Sequence, residues 1–130
     1  MSAKKKKKSA INALLEVMAR LRAPGGCPWD REQDHRSLRW HAVEEVYELL
    51  DAIEAGDDYE LEEELGDLLF AIANWTLHLK ADPEEALRAA NAKFERRFRR
   101  MEALAGARGA KLESLSAAEW DDLWRKAKQA

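Results

Sequence analysis

Apolar residues recur along this chain at helical spacing, and no stretch alternates in the way that a half-buried strand does. Five amphipathic segments follow one another, each bounded by residues that cap or stop a helix. The expected helices cover residues 9–21, 37–55, 57–81 and 83–105, with a last one from residue 116. Residues 24–34 are expected to form a loop. The pattern therefore predicts an all-α protein built as an antiparallel helical bundle.

Four acidic residues fall at matching positions on the second and third predicted helices. Glu45 and Glu48 are three residues apart, and so are Glu64 and Asp67, which places each pair on one side of its helix. A turn at Gly56 joins the helices, with Glu48 eight residues before it and Glu64 eight residues after it. The two carboxylate pairs are therefore expected to face each other across an antiparallel hairpin.

These acids allow two interpretations. Most glutamates lie on solvated faces, and we accept this for Glu62 and Glu63. Asp67 differs because the apolar stretch at residues 65–79 predicts a helix buried on several sides, where a lone carboxylate is costly. Bound cations would relieve the repulsion, and all-oxygen ligands favour Mg²⁺ or Mn²⁺ over zinc. Di-iron bundles add a histidine three residues after a glutamate, which is missing here.

The charge distribution separates a basic start from an acidic body. The net charge is -3, but residues 4–8 are five consecutive lysines, and most of the remaining charge is negative. We expect residues 1–8 to be a disordered lysine-rich tail and residues 9–130 to be a single domain. An acidic body repels polyphosphate unless metal ions intervene. We expect no nucleic-acid partner, although salt-sensitive binding through the tail is the alternative.

Several classes of protein are excluded by composition. The single Cys27 allows neither an internal disulfide nor a four-cysteine zinc site, which is typical of the cytoplasm. No apolar run approaches the 18 residues of a membrane span, so no membrane partner is expected. A glycine-rich phosphate loop is also missing, which excludes a P-loop enzyme.

Lys93 and Arg97, four residues apart, are candidates to hold phosphates, and Trp29 or Trp124 is a candidate to stack on a base.

The acidic motifs resemble those of the MazG-type nucleoside triphosphate pyrophosphohydrolases. That family carries Glu-Glu-x-x-Glu followed about twenty residues later by Glu-x-x-Asp, which here are residues 44–48 and 64–67. The Cys-Pro-Trp-Asp loop at residues 27–30, the ELGDLLF stretch at 64–70, the basic segment at 93–98 and the Trp-x-x-x-Lys ending at 124–128 are similar as well. Residues 98–102 replace the His-Pro-His run of many members and resemble a related branch.

The resemblance implies a fold, a reaction and a set of ligands. The fold is a helical bundle whose core helices are completed by a second subunit, in a dimer or tetramer. Mg²⁺ is held by Glu45, Glu48, Glu64 and Asp67, with Glu44 nearby. A metal-activated water attacks the α-phosphorus of a nucleoside triphosphate and releases a monophosphate and pyrophosphate. Substrate contacts fall on Trp29, Lys93, Arg97, Trp124 and Lys128. A non-catalytic helical interaction protein is the competing interpretation.

Overall fold

The computed structural model describes residues 9–129, and within them it contains helices, one 3-10 turn and no strand. The all-α prediction is therefore confirmed. The lysine tail expected at residues 1–8 lies outside the described residues. In chain order the elements are α1 (Ala10–Arg22), α2 (Pro28–Glu32), α3 (His35–Ala55), α4 (Asp58–His78), α5 (Pro83–Ala107), the 3-10 turn (Leu112–Ser114) and α6 (Ala117–Lys128).

Local capping signals place several helix ends where the sequence predicted them. Gly56 ends α3 with a φ of 71°, a left-handed conformation that favours glycine. Asp57 then accepts hydrogen bonds from two backbone N–H groups in the first turn of α4. Ser116 and Glu119 form the predicted capping box at the start of α6. The turn between α3 and α4 is thus fixed by residues within the turn itself.

Three of the differences from the predicted boundaries have a local cause. α3 begins before Ser37 because Asp34 is the cap, and the Ser37 backbone N–H donates to its carboxylate at 2.8 Å. α4 ends at His78 rather than near residue 81, since Lys80 takes a left-handed φ of 59° that closes the helix. The loop expected at residues 24–34 contains α2, which has Pro28 at its first position, where proline is favoured.

The described chain divides into two compact units, the first ending at Glu84 and the second beginning at Glu85. The single domain expected over residues 9–130 stays a prediction. In the first unit, α3 and α4 pack as an antiparallel hairpin, and α1 packs against α2 and α4. The buried apolar residues of this unit are few, namely Met18, Leu38, Ala52 and Ala73.

The α3–α4 hairpin also exposes many large apolar side chains. We call this surface the hairpin apolar face. It comprises Val43, Val46, Tyr47, Leu50 and Ile53 on α3 with Leu65, Leu69, Phe70 and Ile72 on α4. Residues 43, 46, 50 and 53 follow the spacing of one helical stripe, so the exposure is not scattered. Exposed apolar stripes of this kind are typical of an interaction site.

The second unit packs α5 against α6. Its core consists of Met101 and Ala105 from α5 with Leu123 and Ala127 from α6. Met101 and Leu123 have no solvent exposure, so this packing fixes the last turns of α6 beside α5. Across residues 9–129, the helices are too short or too polar to span a membrane.

Candidate active site

The α3–α4 hairpin brings three glutamates together. Glu45 and Glu48 come from α3 and Glu64 comes from α4, and each offers one carboxylate oxygen within 4.8 Å of the other two. We call these residues the acid cluster. The convergence follows from the sequence, because the capped turn at Gly56 aligns the two helices in antiparallel register. Three ionised groups at this distance repel one another strongly.

The protein environment disfavours the charged forms of two cluster members. Burial raises the pKa of Glu45, and the nearby charges of Glu48 and Asp67 raise it further. The pKa of Glu64 is also raised, first by burial and then by the charge of Glu48. A group whose charge is disfavoured in this way gains most from a bound cation.

Two oxygens of the acid cluster are buried and have no hydrogen-bond partner among residues 9–129. They are Oε2 of Glu45 and Oε2 of Glu64. Buried polar atoms without partners are rare in folded proteins, and each requires an explanation such as an ion. Because every donor in the cluster is a carboxylate oxygen, the residues fit a hard divalent cation. Among residues 9–129, the acid cluster is the group that could hold a metal.

The other two candidate acids stand beside the cluster. Asp67 lies close enough for its charge to raise the pKa of both Glu45 and Glu64. However, Asp67 is exposed in the single chain, although the apolar pattern of α4 predicted a helix buried on several sides. The reason is that its neighbours on α4 belong to the hairpin apolar face, which the chain leaves uncovered. Glu44 is exposed as well and acts on Glu45 through its charge.

A cavity of about 220 Å³ opens next to the acid cluster, and we call it the Trp29 pocket. Trp29 contacts His41 edge to face, with ring centroids 5.3 Å apart. The pocket is lined by Trp29 from α2, by Leu38, His41 and Glu45 from α3, and by Asp67, Phe70, Ala71 and Asn74 from α4. The predicted site residues Trp29, Glu45 and Asp67 therefore share one cavity, whose lining includes both aromatic and acidic side chains.

A buried polar network holds α2 against α1 and α4, and the sequence interpretation missed it. Asp30 is only 3% exposed, and the Arg22 guanidinium donates to its carboxylate at 3.3 Å. Arg22 also donates to the backbone oxygen and the side-chain oxygen of Asn74 at 3.2 and 2.9 Å. His78 Nε2 lies 3.7 Å from Asp30, and burial lowers the pKa of His78. The unusual Cys-Pro-Trp-Asp composition was the signal that marked this segment.

The second unit gathers the predicted phosphate-binding residues. Lys93 and Arg97 from α5 line one cavity with Lys128 from α6. Trp124, the other aromatic candidate, is half-buried and packs on Phe94 with ring centroids 5.7 Å apart. Arg96 and Arg100, which the sequence interpretation did not select, line the same cavity.

A comparison with protein families identifies the chain. Residues 33–101 match the model of the MazG nucleotide pyrophosphohydrolase domain, which is more than half of the sequence. This chain belongs to the MazG family. The matched range contains the acid cluster and Asp67 as well as Lys93 and Arg97, while Trp29, Trp124 and Lys128 lie outside it. The resemblance inferred from the motifs is therefore confirmed.

Curated relatives extend the match along the chain. A Thermotoga maritima protein named nucleoside triphosphate pyrophosphohydrolase/pyrophosphatase MazG is 42% identical over 96% of this chain and 51% of its own length. The Escherichia coli K12 nucleoside triphosphate pyrophosphohydrolase is 42% identical over 67% of this chain and 35% of its own length. A Mycobacterium tuberculosis protein of the same name is 52% identical over 43% of this chain. The chain spans about half the length, or less, of these relatives.

Proposed function

We propose that this chain is a magnesium-dependent hydrolase that converts nucleoside triphosphates to a monophosphate and pyrophosphate. The acid cluster carries the proposal, since three carboxylates converge within 4.8 Å and two of their buried oxygens have no partner in the described part of the chain. Membership of the MazG family and the names of the relatives support the same reaction. The substrates are ribo- or deoxyribonucleoside triphosphates, non-standard ones included.

The metal ligands in this proposal are Glu45, Glu48, Glu64 and Asp67, with Glu44 as the next carboxylate. Mg²⁺ is the ion of choice and Mn²⁺ its substitute, because both prefer oxygen donors. When bound, the ion would neutralise phosphate charge and supply a water of lowered pKa for attack at the α-phosphorus. The chain itself holds the carboxylates at one height of the hairpin. Without a cation, this negative site repels a triphosphate.

The remaining site residues are proposed to bind the nucleotide. Trp29 lines the same pocket as Glu45, so a base or sugar could pack on its ring near the acids. Lys93, Arg97 and Lys128 share a cavity and are proposed to bind phosphate oxygens. Trp124 is the alternative stacking surface. Phosphoryl transfer depends on positioning and charge neutralisation, so no nucleophilic side chain is required.

We further propose that two copies of this chain pair through the hairpin apolar face, in a dimer or a tetramer. The exposed stripes on α3 and α4 support this arrangement because water contact with that much apolar surface is unfavourable. Sedimentation at micromolar concentration should give at least a dimer. A monomer near 14.8 kDa that retains full activity would overturn the pairing.

The decisive experiment is the separation of products from a panel of nucleoside triphosphates, with magnesium and with a chelator. We expect monophosphate and pyrophosphate in equal amounts, formed only when the cation is present. Glu48→Gln should abolish turnover because it removes a charged ligand and keeps the side-chain size. Glu62→Gln, an exposed acid on α4, is the control and should stay active. Stoichiometric orthophosphate and nucleoside diphosphate would show that another bond is cleaved.

A further inference from the structure

Five cations converge on one cavity of about 270 Å³ in the second unit. Residues 93, 96, 97 and 100 follow the i, i+3, i+4, i+7 spacing of one helix face, and α6 adds the fifth cation. We call this group the basic pocket. Its cationic members are Lys93, Arg96, Arg97, Arg100 and Lys128, and Ala127 forms the remaining wall.

The basic pocket differs from the rest of the same two helices in how its charges are balanced. Arg99 donates to Glu95 at 2.6 Å, and Arg125 lies 3.1 Å from Asp121. Lys126 and Arg108 both pair with Asp122, at 2.9 and 3.5 Å. Among residues 9–129, by contrast, no carboxylate lies within ion-pair distance of the five pocket cations.

Uncompensated like charges at helical spacing repel one another, so the arrangement costs stability unless an anion balances it. Arginine is well suited to that anion, because its planar guanidinium donates two parallel hydrogen bonds to phosphate oxygens. The row from Lys93 to Arg100 extends about 10 Å along α5, at roughly 1.5 Å per residue. That length exceeds one phosphate group and suits an extended chain of phosphates.

We propose that Arg96 and Arg100 make the basic pocket a binding site for a chain of three phosphates, which the pocket binds without a divalent cation. In this site, selectivity for triphosphates over shorter phosphates comes from Arg96 and Arg100. Its role in substrate recognition rests on the proposed function, whereas binding of an inorganic phosphate chain does not. A nucleoside triphosphate and inorganic tripolyphosphate present the same chemistry to the pocket.

The test is calorimetric titration of the full 130-residue chain in a chelating buffer with tripolyphosphate, pyrophosphate or orthophosphate. We expect affinity to rise with chain length. Arg96→Gln and Arg100→Gln should each weaken tripolyphosphate binding about tenfold, as expected for one charge-assisted hydrogen bond. Arg99→Gln removes the same charge one residue away and should change the affinity less than about twofold, because Arg99 already pairs with Glu95.

Three results would overturn the proposal. The first is equal affinity for orthophosphate and tripolyphosphate. The second is an Arg99→Gln loss as large as the Arg100→Gln loss, which would indicate general charge attraction. The third is a DNA or RNA oligonucleotide that binds more tightly than tripolyphosphate and loses affinity with Arg100→Gln, which would make the pocket a nucleic-acid surface. Matching helical circular dichroism for all variants shows that the losses are not due to unfolding.

Failure of this proposal is separable from failure of the proposed function. Glu48→Gln should lose hydrolysis and still bind tripolyphosphate, because the acid cluster lies in the other unit. If the parent protein binds tripolyphosphate but hydrolyses no nucleotide, the proposed enzymatic function is refuted and the proposed phosphate-binding site is not. The same titration with adenosine triphosphate in the chelating buffer tests the role in substrate recognition. If adenosine triphosphate binds with an affinity similar to that of tripolyphosphate, the pocket recognises the phosphates alone. If adenosine triphosphate binds much more weakly than tripolyphosphate, the proposed role in substrate recognition is overturned.

Discussion

Replacing Asp30 tests whether the buried polar network holds α2 in place. In Asp30→Ala the Arg22 guanidinium loses its buried carboxylate partner, which lies 3.3 Å away and is only 3% exposed. Removing one partner of a fully buried ion pair costs about 3–5 kcal/mol. Arg22 is 26% exposed and keeps its two hydrogen bonds to Asn74, so water and Asn74 compensate for part of the loss.

We therefore expect a loss of about 2 kcal/mol, near that of one charge-assisted hydrogen bond. For a chain of this length that corresponds to a fall of roughly 8 °C in the melting temperature. Asp30→Asn keeps the side-chain volume and one acceptor oxygen, so its loss should be smaller. Asp121→Ala is the control, because its pair with Arg125 is about two-thirds exposed and should contribute less than about 0.5 kcal/mol.

Urea unfolding followed by circular dichroism measures these differences directly. The parent and the three variants should be compared in one buffer with a chelator, so that metal binding does not contribute. A loss for Asp30→Ala no larger than that for Asp121→Ala would refute the reasoning, since it would mean that Arg22 and His78 hold α2 without the carboxylate. Because Trp29 precedes Asp30 on α2, a confirmed loss also predicts weaker nucleotide binding in the Trp29 pocket.

Two further predictions concern the acid cluster. In chelator, Glu48→Gln should have a melting temperature no lower than that of the parent. Magnesium should stabilise the variant less than the parent, which gains about 2.7 kcal/mol when the magnesium concentration is one hundred times the dissociation constant. An unchanged magnesium response would mean that the site is wrongly placed. The raised pKa of Glu64 means that its ionised form is disfavoured in the folded protein, so its contribution to stability is present at low pH and is lost as the pH rises through the raised pKa. Glu64→Gln should therefore raise the unfolding free energy of the metal-free protein at about pH 8, and this gain should disappear by about pH 4. A difference in unfolding free energy that does not change with pH would contradict the raised pKa of Glu64.

Signals within a few residues were enough to predict most of the helices and the register of the hairpin. Gly56 and Asp57 set the turn, and their positions place Glu48 and Glu64 opposite each other. The capping box at Ser116 likewise opened α6 where expected. These features could be predicted because caps, left-handed glycines and helical spacing act between near neighbours in the chain.

Features that depend on distant residues were decided by the tertiary structure. Arg22 bonds to Asn74, 52 positions away, and no periodicity in the sequence marks that pair. Asp67 sits in an apolar stretch that predicted burial, yet a single chain leaves that flank of α4 exposed. Arg96 and Arg100 look like ordinary helix-surface charges in the sequence. Among residues 9–129, however, neither pairs with a carboxylate, whereas Arg99 pairs with Glu95.

The sequence by itself therefore determined the helices, the opposing acids and the family, because each depends on local spacing or on motifs that can be read in order. The tertiary structure alone decided which charges are buried, which are paired and which surfaces stay open. Burial and pairing depend on which distant elements meet. A carboxylate such as Asp30 can be buried and hold α2 in place only because the packing of the helices brings Arg22 and His78 beside it.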